Sequence, residues 1–169
     1  YIIISSKPSA DFTADTTKFC SLNHTFVFTP VTNNANNYNW NFHDGYSSSL
    51  ESPSHIYSSG GKRNVTLGLT DPNGCSNTLT KSNYITVSEE LNPVFSVNNN
   101  IGCTPLNVTF NSGLSSLLNF QWNFGDGATS AIANPSHLYN DSGMYTVSLT
   151  VMDANNCSFS YTSDSLVNT

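Results

Sequence analysis

Apolar and polar residues alternate in several short stretches of this chain. Between Tyr38 and Phe42 an aromatic residue occupies every second position, and asparagines stand between them. The same alternation returns in residues 120–124, and with aliphatic side chains in residues 65–69 and 147–151. A period of two with one apolar side predicts half-buried β-strands.

Shorter stretches complete the strand pattern. Residues 26–28, 83–87 and 108–110 are rich in β-branched and aromatic side chains, and Gly, Pro, Asn and Asp separate the predicted strands. No stretch has the spacing of apolar residues that an amphipathic helix requires. The pattern therefore predicts an all-β protein built from antiparallel β-sandwiches.

The strand pattern occurs twice. Residues 40–45 return 82 positions later as residues 122–127, and 17 of the 39 positions from Tyr38 to Ser76 are identical at that offset. The chain is therefore an array of one module, so function has to be argued for each module. We expect residues 5–88 to form the first repeat and residues 89–169 the second. Residues 1–4 resemble residues 84–87, and we interpret them as the last strand of a preceding repeat.

Composition and charge exclude some classes of partner. Only 9% of the residues are charged, against roughly 25% in ordinary soluble proteins. The net charge is −6, and no Lys or Arg follows Lys81. Because nucleic acids and anionic membranes are bound mainly through basic side chains, the sequence argues against both as partners.

The four cysteines repeat with the module. Cys20 and Cys75 lie 55 positions apart, and Cys103 and Cys157 lie 54 apart. Four cysteines allow three pairings, and we expect Cys20–Cys75 and Cys103–Cys157, because each bond then closes within one module. Bonds between equivalent cysteines of the two modules and four reduced thiols remain alternatives. Disulfides would indicate an oxidising, extracellular environment, and zinc is disfavoured because no C-x-x-C pair exists.

Several linked motifs of the second repeat resemble those of a known domain family. Residues 122–127 read W-N-F-G-D-G, and the segments N-P-S-H-x-Y and G-x-Y-x-V-x-L-x-V-x-D-x-x-x-C follow. This order resembles the PKD domain, which implies two tandem immunoglobulin-like antiparallel β-sandwiches of the PKD type. The first repeat departs at His43, where the pattern has glycine, and at Arg63, where it has tyrosine.

The motif residues are interpreted as structural. Alternation places the two tryptophans on the buried face, and an aspartate followed by glycine can cap its own turn. His55 and His137 stand in the same Ser-His-x-Tyr segment of the two repeats, which favours a satisfied hydrogen bond over a ligand role. The positions concerned are Trp40, Phe42, Asp44, Gly45, His55, Tyr57, Trp122, Phe124, Asp126, Gly127, His137 and Tyr139.

Neither catalysis nor a cofactor is expected from the residues. No nucleophile elbow, metalloprotease helix or pair of acids fit for acid–base chemistry can be identified, and no metal site is expected. Calcium stays a minor alternative, because some family members bind it although no carboxylates cluster here.

The resemblance implies a non-catalytic extracellular module that acts as a stalk or spacer, or as part of a bacterial surface adhesin of the gliding type. Its partners would be neighbouring repeats and a surface polysaccharide or protein. The alternative is an accessory module that holds polysaccharide or protein for an attached secreted hydrolase. That role needs exposed aromatic side chains, and Tyr46 and Tyr161 are the best candidates.

Overall fold

A computed structural model describes residues 6–32, 35–115 and 118–169. The chain divides into two compact units between Glu89 and Glu90, called here the first and the second domain. The segment interpreted as a strand of a preceding repeat, residues 1–4, lies outside the described residues. Within those residues every regular element is a β-strand, so the predicted all-β class is confirmed.

Among its described residues the first domain contains eight strands. They are β1 (Asp11–Ala14), β2 (Lys18–Phe19), β3 (Phe26–Val31), β4 (Asn37–Asn41), β5 (Ser47–Ser48), β6 (Ser54–His55), β7 (Gly61–Thr70) and β8 (Ser76–Val87). One sheet has the order β1-β3-β6 and the other the order β2-β8-β7-β4-β5. All neighbouring strands are antiparallel except β2 and β8, which are parallel.

The described part of the second domain repeats this arrangement with seven strands. They are β9 (Ser96–Asn98), β10 (Leu106–Asn111), β11 (Asn119–Asn123), β12 (Thr129–Ser130), β13 (Ser136–Tyr139), β14 (Met144–Met152) and β15 (Ser158–Asn168). Its sheets have the orders β13-β10-β9 and β12-β11-β14-β15. A single parallel bridge between Ile101 and Asn168 stands where the first domain has β2.

Each domain encloses one apolar core between its two sheets. In the first domain the core joins Phe12 and Phe28 of one sheet to Trp40 and Leu67 of the other. Along β11, buried and exposed residues alternate strictly. Burying the aromatic side chains is the main favourable contribution to stability, because each removes a large apolar area from water.

The longest strand of each domain contains a bulge at the equivalent place. From Arg63 to Val65, β7 advances by two residues while β8 advances by four, from Ile85 to Lys81. In the second domain an equivalent register shift occurs in the pairing of β14 with β15. The bulged stretches contain Asn83 and Ser165, each with a φ of 50°. Such a bulge bends the strand and increases its local twist.

The expected Cys20–Cys75 disulfide is wrong, because the fold places these residues at opposite ends of one strand. Cys20 follows Phe19, which pairs with Val87 at the end of β8, whereas Cys75 directly precedes the start of β8. Twelve residues of strand span roughly 35–40 Å, and a disulfide needs Cα atoms within about 7 Å. The Cys75 thiol is free.

The expected Cys103–Cys157 disulfide is wrong for the same reason. Cys157 directly precedes β15, and Cys103 lies two residues after Ile101, which pairs with Asn168 near the end of β15. The eleven residues of that strand separate the two cysteines by roughly 35 Å. The Cys103 thiol is free and exposed.

Candidate functional site

The tryptophans lie at the centre of each core. Trp40 and Trp122 are fully buried, and each indole Nε1–H donates to a loop carbonyl at 3.0 Å, that of Leu50 or Ile132 respectively. The hydrogen bond satisfies the one polar atom of the ring and holds the loop against the sheet. Neither ring can therefore serve as a platform on which a sugar stacks.

The aspartate of each D-G turn has two separate hydrogen-bonding tasks. Asp126 Oδ1 accepts the backbone N–H of Ala128 at 3.0 Å, which closes the turn, and Gly127 follows with a φ of 94°. Its second oxygen, Oδ2, lies 2.6 Å from His137 Nε2. In the first domain Asp44 makes the same two contacts, to Tyr46 N and to His55 Nε2.

His55 and His137 are each enclosed by two aromatic rings. His137 stacks on Phe124 with 4.3 Å between ring centroids and an interplanar angle of 4°, and it meets Tyr139 edge to face at 4.6 Å. His55 stacks on Phe42 at 4.2 Å in the same way. Because the aspartate lies in a turn of one sheet and the histidine on a strand of the other, the pair ties the two layers together.

The electrostatics of this pair are set by the hydrogen bonds to the carboxylate. Burial by itself raises the pKa of Asp126, but the hydrogen bonds from His137 and from the Ala128 N–H outweigh it and lower the pKa. The side chains of His137 and Asp126 are 16% and 24% exposed. Little of the pair is accessible, so it is poorly placed to attack or protonate a substrate.

The tyrosines differ between the domains in their hydroxyl groups. The hydroxyl of Tyr139 donates to the Phe124 carbonyl at 3.0 Å. Among the described residues the buried hydroxyl of Tyr57 has no hydrogen-bond partner. Burial raises the pKa of both tyrosines far above the usual value, and the nearby Asp44 or Asp126 carboxylate raises it further. Both hydroxyls therefore stay protonated and unreactive at neutral pH.

A second aspartate caps the turn before β8 and before β15. Asp71 Oδ1 accepts the backbone N–H groups of Asn73 and Cys75 at 2.9 and 2.8 Å. Asp153 does the same for Asn155 and Cys157. In the described part of the chain no group of three or more His, Cys, Asp or Glu side chains is arranged to hold a metal ion.

The two tyrosines considered for ligand binding have different environments. Tyr46 is 66% exposed, and its ring centroid lies 5.7 Å from that of His55. Tyr161 is 36% exposed, and its ring packs edge to face against Phe95 at 5.5 Å. Tyr46 is thus an accessible aromatic surface, whereas Tyr161 is partly used in packing.

Sequence reasoning missed one surface feature that the sheets create. Lys18 of β2 and Lys62 of β7 both pair with Thr86 of β8, so the three side chains form a row across the sheet. The strand β2 has two residues and no alternation, so no sequence signal was available to place Lys18 there.

Comparison with known proteins identifies the domain type. The family model described as "PKD domain" matches residues 5–87 and 92–167. The chain belongs to the PKD domain family. PKD domains are non-catalytic modules, so both domains of this chain are of a non-catalytic, accessory kind. A search of the described residues for a helix of membrane-spanning length and hydropathy finds none.

The PKD chain is similar to parts of bacterial proteins. It is 55% identical to Collagenase ColA of Bacillus cereus over 38 residues, which is 22% of this chain and 4% of that relative. The PKD1 domain of Vibrio anguillarum Epp is 27% identical, covering 50% of this chain and 98% of that one, with a TM-score of 0.44. The PKD1 domain of the Vibrio cholerae metalloprotease PrtV is 26% identical, covering 49% and 99%, with a TM-score of 0.43.

Proposed function

We propose that the two PKD domains act outside the cell as a stalk or spacer within a bacterial surface protein of the adhesin type. One observation carries the proposal: the motif side chains of both domains make their hydrogen bonds within their own domain, where they stabilise the fold. The indole N–H, the aspartate and the histidine each have their hydrogen bond within the domain. A domain whose motif side chains are engaged within the fold contributes mainly through its own folded volume.

The surface chemistry supports the same proposal. The chain presents hydroxyl and amide groups in place of charges, and its charged fraction is 9%. Such a surface attracts oppositely charged macromolecules weakly, which suits a passive spacer. An extracellular location is supported further by the similarity to part of a bacterial collagenase and to a PKD domain of a metalloprotease.

The spacer role can be tested by display on a bacterial surface. The chain is placed between a membrane anchor and a short peptide epitope, in one, two or three copies, and antibody access to the epitope is measured. A Gly/Ser linker of equal residue number is the matched control, because it forms a flexible coil. Access should rise with copy number and exceed that given by the linker. Equal access with both inserts would contradict the proposal.

The alternative function is an accessory binding module, and the exposure of Tyr46 is the observation that favours it. Co-sedimentation of the chain with insoluble cellulose, chitin and collagen tests it directly. Retention that is lost in Tyr46→Ala but kept in Tyr161→Ala would support this alternative over the spacer. We expect no retention on these solids.

A further inference from the structure

The row formed by Lys18, Thr86 and Lys62 has its three side chains on the outer face of one sheet. Thr86 lies between Ile85 and Val87, both of which point into the core and are at most 1% exposed. Residues directly opposite each other on neighbouring strands share a face, so both lysines point away from the core with Thr86. Two strand spacings place their backbones about 10 Å apart.

The charges of this row are available to a ligand. Lys18 and Lys62 are exposed, and in the described part of the chain neither ammonium group has a carboxylate within ion-pair distance. The other basic groups of the sheets are occupied: Lys81 pairs with Asp11, and Arg63 donates to the Ser59 and Gly60 carbonyls.

The acidic groups nearest along the chain are already engaged, and Asp15, three residues before Lys18, lies 3.2 Å from His24 Nε2. Glu89 Oε1 accepts the N–H of Gly60, two residues before Lys62. Because this carboxylate lies beside one end of the row, its negative charge weakens the attraction of the row for an anionic ligand. A densely charged ligand would also be repelled by the net charge of −6.

The second domain presents a different chemistry at the same place. Ile101 and Met144 both pair with Asn168, so they correspond to Lys18 and Lys62, and Asn168 corresponds to Thr86. Ile101 is 73% exposed and Met144 is 66% exposed. The equivalent residues of both domains are thus exposed to solvent, and they carry positive charge in the first domain alone.

We propose that the Lys18–Thr86–Lys62 row binds a linear anionic polysaccharide that carries carboxylate groups. The two ammonium groups would each contact a carboxylate on the chain of sugars, and the Thr86 hydroxyl between them would hydrogen-bond a sugar hydroxyl. A polysaccharide with one carboxylate on every second sugar suits this row better than a nucleic acid, since a nucleic acid carries a charge on every residue and is repelled more strongly by the acidic chain. This binding goes beyond the spacer role and does not depend on it.

The test is retention of the 169-residue chain on immobilised hyaluronate, which carries one carboxylate per two sugars, with immobilised dextran as the uncharged control. Retention should occur on hyaluronate alone and disappear as salt rises from about 50 to 200 mM, because exposed charge pairs are screened. Lys18→Ile with Lys62→Met gives the first domain the row of the second and should weaken retention about tenfold. Lys18→Gln with Lys62→Gln repeats the test without added apolar surface.

Two further variants keep the result interpretable. Lys18→Arg with Lys62→Arg preserves the charge and should keep retention, whereas Lys7→Gln removes a charge outside the row and should change it little. Ile101→Lys with Met144→Lys builds the lysine row on the second domain and should increase retention. Unchanged retention in the glutamine variant, equal retention on dextran, or tighter binding of single-stranded nucleic acid at the same salt would each overturn the proposal.

Discussion

The two domains make the same hydrogen bonds through their shared motif residues, but they carry different residues at neighbouring positions. The histidine–aspartate contact is 2.7 Å in the first domain and 2.6 Å in the second, and both indole hydrogen bonds are 3.0 Å. Yet His43 stands where the second domain has Gly125, and Lys81 where it has Ser163. The recurring motif therefore specifies the fold, and each domain fits a different residue at these positions through its own local contacts.

The largest effect should come from removing either tryptophan. Trp40→Ala and Trp122→Ala should each destabilise their own domain by about 3–5 kcal/mol, because a fully buried indole is lost and a cavity remains. Hydrogen exchange resolved by domain measures this, since a two-domain chain need not unfold in one step. Trp→Phe at the same positions should cost less. A much smaller loss in one domain would show that the two cores are not equivalent.

The exchange of His43 and Gly125 should be asymmetric. Gly125 has a φ of 87°, and a Cβ atom there would collide with the Thr146 carbonyl oxygen, so Gly125→His should cost about 3 kcal/mol or more. His43 has a φ of 58° and its Nε2 atom lies 2.8 Å from Thr66 Oγ1. His43→Gly should change the stability of the first domain by about 1 kcal/mol or less.

Thermal melts of the two single variants compare these costs directly. The double variant, in which each domain has the other's residue, serves as the control for additivity. Equal losses for the two substitutions would mean that the turn has no asymmetry.

Acid should weaken the Asp126–His137 pair in a defined direction. The pKa of Asp126 is lowered in the folded state from a usual value of 3.8, so its contribution is present above that value. As the pH falls through the lower folded-state pKa, the carboxylate is protonated and the contribution is lost. Asp126→Asn should cost about 1–2 kcal/mol at pH 7 and flatten the acid dependence of the second domain. Urea melts from pH 7 to pH 2 measure both effects. If the unfolding free energy of the variant depended on pH as that of the unaltered chain does, the assignment would be contradicted.

Lys81→Ser gives the first domain the residue of the second and should cost about 1 kcal/mol. Lys81 Nζ donates to the Phe12 carbonyl at 2.6 Å and lies over the Phe12 and Tyr84 rings. Its ion pair with the exposed Asp11 should add little, so Asp11→Asn is the matched control. Chemical denaturation of both variants tests this, and a larger loss for Asp11→Asn would reverse the interpretation.

The smallest effect is expected at the free thiols. Cys75→Ser and Cys103→Ser should each change the free energy of unfolding of their domain by about 0.5 kcal/mol or less, since neither thiol forms a disulfide. Peptide mapping of the oxidised chain should contain no Cys20–Cys75 or Cys103–Cys157 fragment. Either fragment would show that the strand ends approach far more closely than the fold allows.

Much of the fold could be predicted because its signals are local. The alternation in residues 120–124 identified β11 and its buried face, and the repeated motif identified residues that meet in the structure, such as Asp126 and His137. The cysteines could not be placed in this way. Their positions depend on β2 joining the far end of β8, a pairing between residues almost 70 positions apart with no periodic signal.

The bulges at Asn83 and Ser165 have a consequence for solubility. Both lie in long strands whose outer edge is largely unpaired among the described residues of its own sheet. A flat edge of this kind can act as a template for strands of other molecules. A local twist interrupts that template before it extends along the whole strand. In a tandem array each copy therefore carries its own interruption of the exposed edge.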